Sequence, residues 1–157
     1  MHPAPRNGAQ RGGAAVEFGL ILTLLVTILA GIYGLGRAFW YYDALTKATR
    51  DGARVLSVSA KAGIGSQGVA AAKAVVVAAA ASAAVPDFTS ANVSVTCLDA
   101  SFDTTVPCSD GSAPGGVRVG VVNYTLMIGQ YIPFLIGASS SYSAVLAPAT
   151  TMRYMAP

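Results

Sequence analysis

The chain has 157 residues and a formal net charge of +3, with 54% apolar and only 11% charged residues. So apolar a composition excludes an intrinsically disordered chain, and so few charges argue against a nucleic-acid-binding protein. The length allows one small domain in addition to a membrane helix. The net charge says little about partners, because two of the basic residues, Arg6 and Arg11, lie in the N-terminal segment described next.

Residues 1–12 are rich in proline and glycine, contain those two arginines and have no acidic residue. We expect them to form an unstructured leader on the cytoplasmic side of a membrane. They differ from an ordinary secretory signal, because the apolar run that follows is long and no A-x-A cleavage site comes after it.

A long helix is predicted for residues 13–61. Its first part, Phe18 to Leu35, contains no charge and no proline, and as a helix it spans about 27 Å, close to the hydrocarbon thickness of a bilayer. We therefore predict a single transmembrane segment over about residues 18–36. The aromatic residues 39–42 follow where an interfacial belt is expected, and the helical pattern continues beyond the membrane.

Glu17 stands at the head of this apolar segment, where an ionisable side chain costs about 2.5–3.5 kcal/mol on insertion scales. Two interpretations are open: the carboxylate lies at the headgroup level and stays solvated, or it has a function inside the membrane. The residues before it are small, running Gly12, Gly13, Ala14 and Ala15.

This order of basic residues, small residues, glutamate and apolar run resembles the processing segment of type IV prepilins. The resemblance implies that a prepilin peptidase, a membrane aspartic peptidase, cuts after a glycine and leaves the glutamate as the fifth residue. Counting back from Glu17 places the cut between Gly12 and Gly13, whereas a cut after Gly13 would make Glu17 the fourth residue. The resemblance also implies a charge pair between Glu17 and the new amino group of a neighbouring subunit.

Residues 11–54 as a whole are similar to the N-terminal half of the TadE-like pilin family. The similarity rests on three sequence motifs: AAVEF before the apolar run, GRAF at its end, and YxALTxAxRxGAR beyond it. The third motif comprises Tyr42, Ala44, Leu45, Thr46, Ala48, Arg50, Gly52, Ala53 and Arg54. The ending Met152-Arg153-Tyr154 also resembles that family. The resemblance implies a minor pilin or pseudopilin of a Tad/Flp-type (type IVc) pilus, acting in pilus assembly, secretion, adhesion and biofilm formation. Its implied partners are the inner membrane, the prepilin peptidase, other Tad pilins and the assembly platform.

Small residues recur every four positions along the long helix. Such stripes let helices approach closely in membranes, and the alternative is that they are merely small positions in an alanine-rich chain. The two stripes are Ala30, Gly34 and Ala38, and Ala44, Ala48 and Gly52.

A second helix is predicted over residues 67–84, with Ser66 as its N-cap and Pro86 limiting its extension. Because this segment is apolar nearly all round, we expect it to be buried on more than one side.

Alternating apolar residues predict strands over 93–97 and 117–126, separated by the turn-rich segment 99–116. Residues 129–137 read as an apolar loop, and a last strand is predicted over 140–146 or on toward Tyr154. The resulting class is α+β and pilin-like: the long helix, a second helix and a mostly antiparallel sheet of three or four strands, with residues 62–157 forming a periplasmic domain.

Cys97 and Cys108 both follow the membrane segment, and no histidine lies near them. Two cysteines at this spacing make a poor metal site, and a disulfide in an oxidising periplasm is the better interpretation. Closing so short a loop contributes about 3 kcal/mol to the free energy of unfolding in the chain-entropy model.

The count of basic residues on either side of the predicted membrane segment does not favour a cytoplasmic N-terminus. The cysteines and the pilin resemblance favour that orientation.

No catalytic constellation can be assembled, because the single histidine, His2, lies in the leader. The acidic residues Asp87, Asp99, Asp103 and Asp110 lie around turns, which explains them, with a weak calcium site as a remote alternative. We expect no enzyme, metal or cofactor. Besides the structural pilin, two alternatives remain: a membrane-anchored periplasmic binding module outside any filament, and a membrane-tethered enzyme.

Overall fold

The first element of the chain is a helix, α1, that runs over Arg11–Ser57 in a computed structural model describing residues 11–128 and 142–156. At 1.5 Å per residue it is about 70 Å long. Between Gly12 and Leu35 its side chains are mostly exposed, whereas from Tyr41 onward one face is buried against the rest of the protein. The helix is thus half free and half part of a domain.

The helix ends at Ser57, before the end predicted near residue 61. Its last carbonyl groups lack helical partners. The Leu56 carbonyl accepts from the Ser59 N–H, whereas the Ser57 carbonyl bonds to the C-terminal segment. The Met155 N–H donates to the Ser57 oxygen at 2.9 Å, and the Tyr154 hydroxyl donates to the Ser59 oxygen at 2.7 Å. The C-terminal segment therefore supports the end of α1.

A 3₁₀ turn (Lys61–Gly63) and a π turn (Ile64–Gly68) lead into the second helix, α2, over Val69–Ser82. Only one stripe of α2 is fully buried, consisting of Ala72, Val76 and Ala80. The expectation of burial on more than one side is therefore wrong. The reason is that α1 and the sheet lie on the same side of α2, which leaves the opposite alanines in solvent.

Six strands follow: β1 (Val93–Leu98), β2 (Thr105–Val106), β3 (Gly116–Val121), β4 (Thr125–Ile128), β5 (Tyr142–Val145) and β6 (Ala149–Arg153). Four of them form an antiparallel sheet in the order β2-β1-β3-β6. Strands β4 and β5 form a separate antiparallel hairpin. The predicted α+β class, with two helices and a mostly antiparallel sheet, is confirmed.

The predicted strand 117–126 is in fact two strands, because the chain turns at Asn123, where φ is 51°. Asn92 holds this turn: its carbonyl oxygen accepts from the Val122 N–H at 2.9 Å, and its amide donates to the Asn123 oxygen at 3.2 Å. The last predicted strand is also divided, at Pro148, which has no N–H to donate to a ladder. The predicted loop 129–137 lies outside the described residues.

Two apolar clusters make up the core. The first joins the sheet to α1 and α2 and contains Ala48, Ala53, Leu56, Ala72, Val76, Val93, Cys97, Val117 and Val119. The second lies nearer the free half of α1 and contains Tyr41, Leu45, Ala80, Val85, Val121, Tyr124, Leu126 and Leu146. The β4–β5 hairpin belongs to this second cluster.

Candidate membrane and subunit interface

The free half of α1 presents a continuous apolar surface. Its large apolar side chains are at least 46% exposed, and they are Val16, Phe18, Leu20, Ile21, Leu22, Leu24, Leu25, Val26, Ile28, Leu29, Ile32, Tyr33 and Leu35. So large an uncovered patch marks a surface for lipid or for other proteins. Its length and composition suffice to cross a bilayer, so α1 fits a single-pass membrane anchor.

A second segment, Lys61–Ser82, also passes the test of length and apolar composition for a membrane span. It differs from the free half of α1, because its helix α2 packs against the C-terminal half of α1 and against β1. Ala72 and Val76 are fully buried in that contact. The geometry therefore places α2 in the domain rather than across the membrane.

The polar groups inside the apolar run are satisfied locally. The Thr23 hydroxyl donates to the Gly19 oxygen at 2.8 Å, and the Thr27 hydroxyl donates to the Thr23 oxygen at 2.7 Å. Such back-bonding leaves no unpaired hydroxyl to oppose lipid contact.

Glu17 and the two glycines before it lie together at the start of the apolar surface. Gly12, Gly13 and Glu17 are all exposed in α1, and a Cβ added at either glycine would meet no atom within 4 Å. In the described part of the chain, Glu17 forms no ion pair. Its carboxylate and the peptide bond between the two glycines are thus open to other molecules.

Arg37 is the first charged residue after the apolar run. Its guanidinium lies 5.9 Å from the ring centroid of Tyr33 and 5.3 Å from that of Tyr41, and it donates a hydrogen bond to the Tyr41 hydroxyl. Aromatic rings around a cation are well suited to the membrane–water boundary. The sequence places an aromatic belt here but does not reveal this cluster.

The C-terminal half of α1 carries the YxALTxAxRxGAR run, and the structure divides that run between two faces. Leu45, Ala48, Gly52 and Ala53 are buried against α2 and the sheet. Thr49 is also buried, and its hydroxyl lies 3.1 Å from that of Thr150 on β6.

Of the other residues of the run, Tyr42, Arg50 and Arg54 are exposed, and Ala44 and Thr46 are half-buried. In the second small-residue stripe, Ala48 and Gly52 therefore pack within the chain. The close helix packing in the membrane predicted for Ala30, Gly34 and Ala38 stays a prediction.

Cys97 and Cys108 form a disulfide, as the sequence predicts, with their Cα atoms 5.2 Å apart. Cys97 is fully buried in the first apolar cluster. The loop that follows contacts the start of the second helical segment, where a Cβ added to Gly65 would overlap the carbonyl oxygen of Cys108. The disulfide thus joins the inner strand β1 to the loop that contacts the turns before α2.

The Asp110 side chain caps the π turn that leads into α2, although it lies far from that turn in sequence. Its carboxylate accepts from the N–H groups of Gly65 at 2.6 Å and Ser66 at 3.0 Å. These bonds, from the side chain and backbone of Ser66 and from Gly65, lower the pKa of Asp110. The prediction of Ser66 as the N-cap is wrong: α2 begins after Gly68 without a side-chain cap.

Asp99 organises the turn after β1 in a similar way. The Ser101 hydroxyl donates to its carboxylate at 2.8 Å, and the Asp103 N–H donates at 3.1 Å, so these bonds lower the pKa of Asp99. Turn chemistry thus accounts for Asp99. Within residues 11–128 and 142–156, no three potential metal ligands cluster.

Tyr124 ties the second apolar cluster to the end of α2. Its hydroxyl donates to the Pro86 oxygen at 2.8 Å, and its ring meets Phe88 edge-on at a centroid distance of 5.3 Å. Burial, together with the nearby Tyr41 and Asp87, raises the pKa of Tyr124 to about 12. The Tyr124 hydroxyl therefore stays protonated at physiological pH and can donate its hydrogen bond to Pro86.

These features define an α+β protein whose long N-terminal helix fits a single-pass membrane anchor and whose domain is built on the C-terminal half of that helix. Residues 12–54 match the model of the TadE-like protein family. The resemblance noted from the sequence is thereby confirmed over this segment, and it indicates association with Tad pilus components in the membrane. No curated protein and no solved structure matches the chain.

Proposed function

We propose that this protein is a structural minor pilin or pseudopilin of a Tad (type IVc) pilus and has no catalytic role. It is inserted in the inner membrane as a precursor, processed by a prepilin peptidase and joined to other Tad pilins at the assembly platform. There it supports pilus assembly, secretion, adhesion and biofilm formation. The observation that carries the proposal is the uncovered apolar half of α1, headed by an exposed Glu17 and Gly12–Gly13.

The proposed processing step is hydrolysis of the peptide bond between Gly12 and Gly13. It removes the basic leader and leaves an amino group on Gly13, about 6 Å along the helix axis from Glu17. The exposure of both glycines supports access by a peptidase. After the cut, α1 keeps its whole apolar run and remains an anchor.

The new amino group and the Glu17 carboxylate are both costly in an apolar phase when unpaired. A pair between the amine of one subunit and the carboxylate of its neighbour removes that cost. Because desolvation offsets much of the attraction, the pair is not a strong source of affinity. Its proposed role is to set the axial register, since a shifted neighbour leaves two unpaired charges.

The proposed topology has a cytoplasmic N-terminus and a periplasmic domain. The Cys97–Cys108 disulfide supports it, because disulfides persist in oxidising compartments. In this arrangement the leader faces the cytoplasmic side, where the peptidase is proposed to act.

The test is co-expression of the full chain with its cognate prepilin peptidase, followed by intact-mass analysis of the membrane protein. We expect a mature chain beginning at Gly13, and an uncut precursor for Gly12→Lys. A Gly19→Ala variant, altered beyond the cut at another exposed glycine, is the matched control and should be processed normally. Membrane protein that still begins at Met1 in the presence of active peptidase would overturn the proposal.

A further inference from the structure

The β4–β5 hairpin runs back along α1 toward the free half of that helix. Leu126 and Ile128 share the inner face of β4 and pack in the second apolar cluster, which includes Ala38 and Tyr41 of α1. At the end of β4, the Cγ2 atom of Ile128 lies 3.6 Å from the position of a Cβ added to Gly34. The hairpin therefore reaches the level of Gly34.

That level is a boundary in the sequence of α1. Gly34 belongs to the uncharged run that ends at Leu35, and it precedes Arg37 by about 4.5 Å along the helix. A bilayer has about 5–7 Å of headgroup region on each side of its hydrocarbon core. With the apolar run in the membrane, the end of β4 lies where hydrocarbon gives way to headgroups.

The hairpin is also suited to that environment by its composition. No charged residue occurs between Arg118 and Arg153. On the outer face of the hairpin, Met127 is 48% exposed and Val145 is 72% exposed.

Charge is found at the opposite end of the domain. Asp99, Asp103 and Asp110 lie in the turns that follow β1 and β2, where the Ser101 hydroxyl donates to Asp99 and the Gly65 N–H donates to Asp110. The hairpin itself is thus uncharged, with Asp87 beside Tyr124 at its base. The opposite end of the domain carries these aspartates together with the basic residues Lys61 and Arg153. This polarity favours one orientation of the domain on a bilayer.

We propose that the end of the β4–β5 hairpin carrying Met127 and Ile128 rests in the lipid headgroup region beside α1, as a second membrane contact. The contact is interfacial rather than transmembrane, because unpaired strand edges cannot be satisfied in hydrocarbon. It fixes how the domain is tilted and rotated on its anchor. The inference rests on the proposed membrane insertion of α1, so its test must separate the two.

The experiment uses the full chain in vesicles of phosphatidylethanolamine and phosphatidylglycerol. An environment-sensitive fluorophore is attached to one added cysteine at a time, since the two native cysteines are bonded to each other. The hairpin position is Met127→Cys, the anchor position is Leu24→Cys, and the distal position is Ser112→Cys, all at exposed residues. Quenching is compared between lipids that carry a nitroxide at the headgroup and lipids that carry it deep in the acyl chain.

We expect the Met127 probe to be quenched more strongly by headgroup nitroxide than by deep nitroxide, with blue-shifted emission relative to Ser112. The Leu24 probe should show the reverse depth preference. Quenching at Leu24 but none at Met127 above the Ser112 level would overturn the hairpin contact and leave the anchor intact. No quenching at either position would overturn the membrane anchor itself.

A second copy of the chain is the competing occupant of this surface. If a second copy covered this surface, the emission of the Met127 probe would shift with the protein-to-lipid ratio, and neither nitroxide would quench it. That result would also overturn the lipid contact. A Ser143→Cys probe, on the residue paired with Met127, repeats the measurement from β5. It should give the same depth preference as Met127.

Discussion

Gly52 of α1 and Val76 of α2 lie so close that a Cβ added to Gly52 would be 2.7 Å from the Cγ2 atom of Val76. The same Cβ would lie 3.2 Å from the carbonyl oxygen of Ala72. The two helices therefore meet at a position where only a hydrogen atom fits. A glycine of the TadE-like segment thus serves the packing of the chain's own domain.

Replacing that glycine should destabilise the domain. Gly52→Ala forces α1 and α2 apart, at a cost of about 1–3 kcal/mol for overpacking, which outweighs the gain of up to about 1 kcal/mol in helix propensity. We expect a lower Tm in detergent. Gly36→Ala, at a helical glycine with nothing within 4 Å of its added Cβ, is the matched control and should not lower Tm.

The same contact can be tested by relieving it. In a double-mutant cycle, Val76→Ala should cost less stability in the Gly52→Ala background than in the wild type, because it removes the methyl group that clashes. Additive effects of the two substitutions would contradict the proposed close contact.

The disulfide between Cys97 and Cys108 should be complete in protein isolated from membranes. In denaturant without reductant, an alkylating reagent should label neither cysteine, and a Ser112→Cys variant should take up one label as the positive control. Reduction should lower the free energy of unfolding by about 3 kcal/mol in the chain-entropy model. Full labelling of both native thiols would show that the domain does not face an oxidising compartment.

The Asp110 carboxylate should make the stability of the domain depend on pH. Hydrogen bonds from Ser66 and Gly65 lower its pKa in the folded state below the usual 3.8. Its contribution is therefore present above pH 3.8 and lost as the pH falls through the folded-state value.

Asp110→Asn should accordingly lower Tm at neutral pH, and the difference from the wild type should shrink below pH 3.8. Asp51→Asn, at an exposed position of α1, is the control for a change in net charge. A difference in Tm between Asp110→Asn and the wild type that does not change with pH would show that the charge of Asp110 does not stabilise the domain.

Glu17→Ala should leave membrane insertion intact or strengthen it, since it removes a charge that costs about 2.5–3.5 kcal/mol in a membrane helix. It should impair co-purification with partner pilins, because a neighbouring amino group loses its counter-charge. Glu17→Gln, which keeps the size and removes the charge, should behave like Glu17→Ala, and Glu17→Asp should retain part of the assembly. Wild-type assembly and adherence in Glu17→Ala would show that the residue does not set the register.

The sequence by itself was sufficient for features that depend on local composition. The charge-free run from Phe18 to Leu35 predicts a membrane helix, because the length and apolarity of a segment determine whether it can span a bilayer. The two cysteines allow only one intramolecular disulfide, and the alternation in residues 93–97 predicts a strand. The α+β class follows from these elements taken together.

Only the tertiary structure decided which surfaces meet. Periodicity identifies a small-residue stripe but not its partner, and Gly52 proves to face Val76 in the same chain. Likewise, Ser66 has the composition of a helix cap, yet Asp110 supplies the capping carboxylate from the loop after the disulfide. The strand breaks at Asn123 and Pro148 place the β4–β5 hairpin beside Gly34. These contacts join residues far apart in sequence, so they depend on chain topology, which a local pattern does not contain.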